Sequence, residues 1–242
     1  MDFYLLIFGG MVIGFIGTAL GGGLFLSVPF LQFLFPTVNY GSLMGNIRLG
    51  SFFRSIASTI STLSQIEWRK FLGISILYAL SAVGAVSLVS ALSQEYIFYA
   101  IILAILMSEL GPKFARVINK KTRIFMSLFL GFYVGLIGAG ISIMLVALFR
   151  TAYPDENKIM YVKIQARFME FVGLLAMILT HIIYGNLILK IWLPFSIGSL
   201  VGGFCGGIFL KKGTKFSIKT QKVFLYLMYG VALAPYLIGY LF

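Results

Sequence analysis

The chain has 242 residues, of which 60% are hydrophobic and only 11% charged, with a net charge of +12. Soluble domains carry about 25% charged residues, so this composition excludes a soluble domain and reads as a polytopic membrane protein. A lone Cys205 excludes an intramolecular disulfide and a thiolate metal cluster.

The first apolar run, Phe3 to Phe35, contains Gly14-Phe-Ile-Gly17-Thr-Ala-Leu-Gly21-Gly22-Gly23, followed by Ser27, Pro29 and Pro36. Each glycine costs about 1 kcal/mol in a helix relative to alanine. Three in a row predict a helix break with free backbone amides. No basic region precedes this run, and no cleavable signal peptide is expected. Spans of about 20 apolar residues follow at Tyr40–Leu63, Phe71–Leu92 and Tyr96–Leu110. After a basic loop (Lys113, Arg116, Lys120, Lys121, Arg123) the pattern restarts at Ile124–Phe149. There Gly131-Phe-Tyr-Val-Gly135-Leu-Ile-Gly138-Ala-Gly140 precedes Ser142 and Pro154. Spans at Met160–Tyr184 and Leu187–Leu210, a second basic loop (Lys211, Lys212, Lys215, Lys219, Lys222) and a last span to Phe242 complete the chain.

Charge placement sets the expected topology. If every segment crosses once, the two strongly basic loops fall on opposite faces, against the positive-inside tendency. If each glycine-broken segment returns to its starting side, the loops share a face with Arg69, Lys70, Arg150, Lys158 and Lys163. Fifteen of the 19 Lys and Arg residues then lie together. Each half makes an odd number of crossings, so the halves are inverted. The predicted fold is an all-α membrane protein of two inverted repeats. Each repeat is a glycine-broken segment, re-entrant or paired, followed by three transmembrane helices. The repeats are residues 1–111 and 124–242, joined by a basic cytoplasmic linker at 112–123. Such repeats, with broken helices near the midplane, describe many secondary transporters. In the unbroken span, Gly198, Gly202 and Gly206 read as a small-residue packing face, with Ser81, Gly84, Ala85 and Leu88 as its first-half counterpart.

The span after each break carries polar groups. The first reads Gly45-Asn46-Ile47-Arg48 with Arg54 beyond, the second Gln165-Ala166-Arg167 with Glu170 beyond. An intramembrane ionisable group costs about 3 kcal/mol or more at a helix centre and marks function by default. Arginine stays charged, and its planar fork suits oxyanions. The expected anion site comprises Arg48 and Arg167 for charge and Asn46 and Gln165 as further donors. Gly21, Gly22, Gly23, Gly138 and Gly140 would present amides, with Ser142 beside them. Arg167 with Glu170 also reads as a structural ion pair, and Glu170 is the candidate for proton coupling or gating. Arg54 reads as a snorkelling residue and Glu109 as an interfacial carboxylate. His181 reads as a hydrogen-bonded structural histidine, with a proton relay as the alternative.

These segments together resemble the sulfite exporter TauE/SafE family. The resemblance covers nearly the whole chain and rests on four features: the glycine-rich segment leading to Val28-Pro29, Asn46 in the next span, Gln65-Ile66-Glu67-Trp68, and the second-half repeat with Tyr184-Gly185-Asn186. It implies a permease for sulfite, an organosulfonate or a related small anion. The implied location is the cytoplasmic membrane of a bacterium or archaeon, with basic loops inside. The chain departs from the family in lacking consecutive glycines at the second break. It also has Ala147 where a proline would often follow, and Arg48 where a small hydroxyl residue or lysine is commoner.

Other classes fit less well. There is no HExxH and no GxSxG, and the only aspartates, Asp2 and Asp155, lie outside the expected spans. An enzyme is not expected, nor a metal or cofactor. A passive anion channel using the same arginines is the alternative function. Expected partners are a small anionic substrate, the lipid bilayer and protons as coupling ion; nucleic acid is not expected. A homo-oligomer is compatible with the sequence without being implied by it.

Overall fold

A computed structural model of the protein describes residues 2–19, 22–59, 66–92, 96–119, 121–138, 141–150, 159–211 and 218–241. The described chain is helical, with no strand among the described residues. Ten helices run in order: α1 Asp2–Ala19, α2 Gly23–Leu34, α3 Tyr40–Thr59, α4 Trp68–Ser90, α5 Tyr96–Val117, α6 Arg123–Leu136, α7 Ile141–Arg150, α8 Ile159–Ile183, α9 Leu189–Lys211 and α10 Ile218–Leu241. Four are long and apolar enough to cross a membrane, with candidate spans Asp2–Ala19, Trp68–Ser90, Gln165–Ile183 and Leu189–Phe209. The protein is a multi-pass membrane protein. Its outer surface suits lipid, with Phe8, Leu80, Leu88, Phe132, Ile182 and Phe204 all exposed.

Both glycine-rich stretches break the helix. Gly22 (φ 74°) stands just before α2, and Gly138 (φ 72°) just after α6. The left-handed region is costly for a residue with a Cβ, which is why glycine occupies both points. At about 1.5 Å per residue, the 12 residues of α2 and 10 of α7 fall well short of a hydrocarbon core about 30 Å thick. Gly21 and Gly140 lie outside the described residues.

The connections have local causes. The Asn39 Oδ1 accepts from the Ser42 amide at 2.7 Å, capping the start of α3. Gly185 (φ 66°) ends α8, its amide donating to Ile182 O at 3.0 Å. The apolar part of α5, Tyr96–Gly111, matches the expected span. The helix itself continues past Gly111-Pro112 to Val117, so Lys113 and Arg116 are helical and the connection to α6 starts at Ile118. Phe114 and Ile118 pack with the core cluster that contains Phe149 and Met126.

The helices pair across the two halves of the sequence. α9 lies on α1 and α3, while α4 lies on α6 and α8. The pairs α2–α10 and α7–α5 are related in the same way, and α3 packs directly on α8. Accordingly there are two apolar cores. One joins α1, α2 and α3 to Ile191 and Phe195 of α9, and the other joins α6, α7 and α8 to Tyr78, Ala82 and Val86 of α4.

Small residues make the closest of these approaches possible. Gly198 and Gly202 meet the α1 backbone at Ile7 and Met11, and Gly206 meets it at Phe15 and Thr18. The expected packing face of α9 is therefore present. Its counterpart on α4 is present in part. Ala85 meets Gly135 of α6, and the Ser81 hydroxyl donates to Leu128 O of α6 at 2.6 Å. Gly84 has open space beside it and Leu88 faces outward. The glycines of that interface, Gly131 and Gly135, sit on α6.

Candidate anion site

α3 is the polar centre of the molecule. Every residue from Tyr40 to Ser51 is buried, because α1, α2, α4, α8 and α9 all pack around it. Its two arginines go to the two glycine breaks. Arg48, 2% exposed, reaches the end of α6, where its Nη2 donates to Val134 O and, at 2.8 Å, to Ile137 O. These are among the last carbonyls of α6, which lack partners within their own helix. A Cβ on Gly138 would stand 2.8 Å from Arg48 Nη1, so the glycine admits the guanidinium as well as the turn. Arg48 Nε is buried with no hydrogen-bond partner.

Arg54 does the equivalent at the first break. Its Nη1 lies between Gly17 and Gly23, 2.5 Å from where a Gly23 Cβ would be. Gly203 of α9 lets the Arg54 backbone approach, with a would-be Cβ 2.8 Å from Arg54 Cγ. Arg54 is partly buried, with its guanidinium set against the glycines of the first break. The signal available in the sequence was the glycine opposite it on each neighbouring segment, which becomes readable only once the pairing is known.

The predicted amides occupy matching places. Asn46 is fully buried, and its Nδ2 donates to Ser42 O at 2.6 Å and Asn186 O at 3.4 Å. Its Oδ1 accepts from the Ile188 amide at 3.1 Å, just ahead of α9. Gln165, also fully buried, accepts at Oε1 from the Glu67 amide at 2.9 Å, just ahead of α4. Each amide thus binds the backbone at the start of the helix that crosses into the other core. Helix starts leave orphan N–H groups, and here a side chain from the opposite half of the chain satisfies one.

Arg167 lies partly buried on α8, two residues past Gln165. Glu170, nearly one turn on, is within electrostatic reach of both Arg48 and Arg54. Tyr40, Tyr78 and Tyr133 are also within electrostatic reach of Arg48, and the Tyr40 hydroxyl donates to Leu136 O at 3.0 Å. Ser142 falls in the first turn of α7, its side chain outside the described part. Of the expected set, Arg48 and Gly138 meet directly. Gly22 and Gly23 gather at the other break with Arg54 in place of Arg167.

Arg48 is thus a buried cation beside a helix break, with three tyrosines within electrostatic reach. Among the described residues no cluster of His, Cys, Asp and Glu could hold a metal ion. The family model described as Sulfite exporter TauE/SafE matches residues 6–234. The chain belongs to the sulfite exporter TauE/SafE family. It is therefore a member of a membrane transporter family, and the match runs through both glycine breaks and all the helices that surround Arg48. No curated protein and no solved structure matches the chain.

Proposed function

We propose that the protein is a secondary transporter for a small oxyanion, sulfite or an organosulfonate, with its site at Arg48 beside the second glycine break. The single observation that carries this reading is the buried guanidinium of Arg48. It is held by two α6 carbonyls and leaves Nε without a partner. Carbonyls orient the fork without neutralising its charge, so an anion completes the coordination.

The paired exchange of α4 and α9 supports two inverted repeats, 1–111 and 124–242, with the basic linker and loops on the cytoplasmic side of a cell membrane. It also suggests which bodies rock in alternating access. They would be the two apolar cores, each containing a helix borrowed from the other half. Arg48 spans them, standing on α3 and bonding to α6. Glu170, within electrostatic reach of Arg48 and Arg54, is the proposed coupling or gating residue. Arg167, Asn46, Gln165, Gly21 to Gly23, Gly138, Gly140 and Ser142 complete the proposed neighbourhood of the site.

The test is thermal stabilisation of the purified protein by sulfite and by small sulfonates. A ligand at 100 times its dissociation constant should stabilise by about 2.7 kcal/mol. Arg48→Lys keeps a cation for the α6 carbonyls and loses the planar fork. The shift should vanish in that variant and in Arg167→Ala while both remain folded. Wild-type affinity in Arg48→Lys would sink the assignment of the site.

A further inference from the structure

Two more buried donors without partners lie beside Arg48, and neither is explained by packing. Tyr78 of α4 is fully buried, and its hydroxyl has no partner; His181 of α8 is fully buried, and its Nε2 has none. Buried polar groups are normally satisfied, and an orphan needs a reason. Contacts place both near Arg48. The Tyr78 backbone touches α6 at Gly131, nearly one turn before the Val134 carbonyl that holds Arg48. The Tyr78 ring lies over Gly173 of α8. The His181 ring lies against Gly45 of α3, with a would-be Cβ 3.2 Å from its Nδ1, and Gly45 is nearly one turn before Arg48.

The tautomer of His181 follows from a chain of hydrogen bonds anchored on a carbonyl. Val86 O can only accept, so the Ser90 hydroxyl donates to it at 2.9 Å. Ser90 Oγ then accepts one N–H of Asn186 at 2.7 Å. The other N–H of the same amide lies 3.2 Å from His181 Nδ1, which therefore accepts. The proton of the neutral ring is left on Nε2, the atom without a partner. Three helices thus each present a buried donor with nothing to receive it.

We infer that the Nε2–H of His181, the hydroxyl of Tyr78 and the Nε–H of Arg48 line one cradle for the three oxygens of an XO3 anion head group. This rests on the proposed anion site and adds His181 and Tyr78 to it as substrate-contacting residues. The Ser90–Asn186 pair is its positioning element, holding the imidazole as a donor. Sulfite and sulfonates share the head group, whereas a carboxylate has one acceptor oxygen too few.

His181 is the single histidine of the chain, so labelling with 15N-histidine reports on this site alone. The purified full-length protein should show the Nε2–H tautomer, and saturating sodium sulfite should move the Nε2–H resonance. Tyr78→Phe removes only the orphan hydroxyl, so the ligand-free protein should melt no lower than wild type. Its dissociation constant for sulfite should rise about tenfold or more, the usual scale for a hydrogen bond to a charged group. His181→Asn keeps an acceptor for Asn186 and removes the outer donor, and should weaken sulfite similarly. Acetate, as a carboxylate probe, should bind at least tenfold more weakly than methanesulfonate. An Nδ1–H tautomer would overturn the inference. So would wild-type affinity in both variants, or a still resonance while sulfite stabilises the wild type; each leaves the Arg48 site standing. Absence of any stabilisation by sulfite or sulfonate would remove the site and this cradle together.

Discussion

α3 and α8 carry the same amide-x-Arg pattern in the same sequence context, yet the bundle treats them differently. The first twelve residues of α3 are buried without interruption, and its two arginines serve both glycine breaks. α8 has the corresponding Arg167 only partly buried, and at the position matching Arg54 it has Gly173, over which the Tyr78 ring lies. The amides, by contrast, behave alike: Asn46 and Gln165 each hold the start of a helix that crosses into the other core. The recurring amide-x-Arg pattern thus has matching backbone partners for its two amides and different surroundings for its two arginines.

That difference can be broken by paired substitutions, read as thermal or denaturant unfolding of the purified protein. The largest effect is expected at Arg48. Arg48→Ala strips two α6 carbonyls of their partner and leaves a cavity, costing about 3 kcal/mol. Arg167→Ala should cost about 1 kcal/mol or less, as expected for a partly exposed charged group, while still abolishing anion binding. Equal losses in stability would show that the two helices are energetically equivalent after all.

Next come the amides. Asn46→Ala should cost about 2 kcal/mol, because three backbone partners lose bonds. Gln165→Ala should cost about 1 to 2 kcal/mol through the Glu67 amide. Both stand in the proposed site, so each variant should also weaken sulfite binding; binding kept within a few-fold would make the pair scaffolding alone.

Glycine substitutions sharpen the comparison at the breaks. Gly138→Ala puts a Cβ at φ 72° and into the space of Arg48 Nη1, so about 1 to 3 kcal/mol of strain is expected, together with weaker anion binding. The smallest effect belongs to Gly84→Ala, which has open space and should be neutral or gain up to about 1 kcal/mol in helix propensity.

Much of the architecture was legible in advance because lipid imposes a simple rule on composition and length. Apolar runs gave the helix positions, and the glycine clusters marked both breaks, since only glycine tolerates the left-handed backbone found at Gly22 and Gly138. The packing glycines of α9 were readable from their spacing by four. The apolar part of α5 was legible, but not the continuation of the helix past Gly111-Pro112, where Phe114 and Ile118 pack with the core. On α4, Ser81 and Ala85 were legible, but not Ala82 or the partner glycines, which are on α6. The contacts of Arg54 were not legible because they involve Gly17, Gly23 and Gly203, three positions scattered through the chain. Tyr78 carried no local signal at all, as a tyrosine in an apolar span looks like any other.

The sequence by itself determined that this is a helical membrane protein of the sulfite exporter family type, broken twice by glycine and carrying cations in its spans. Periodicity, charge and backbone freedom are properties of short stretches, and they survive without knowledge of neighbours. Only the tertiary structure decided which arginine meets which break, that α4 and α9 pack across the two halves, and that His181 lies buried against Asn186. Those outcomes depend on which surfaces come within hydrogen-bond distance, and the distances follow from packing ten helices at once.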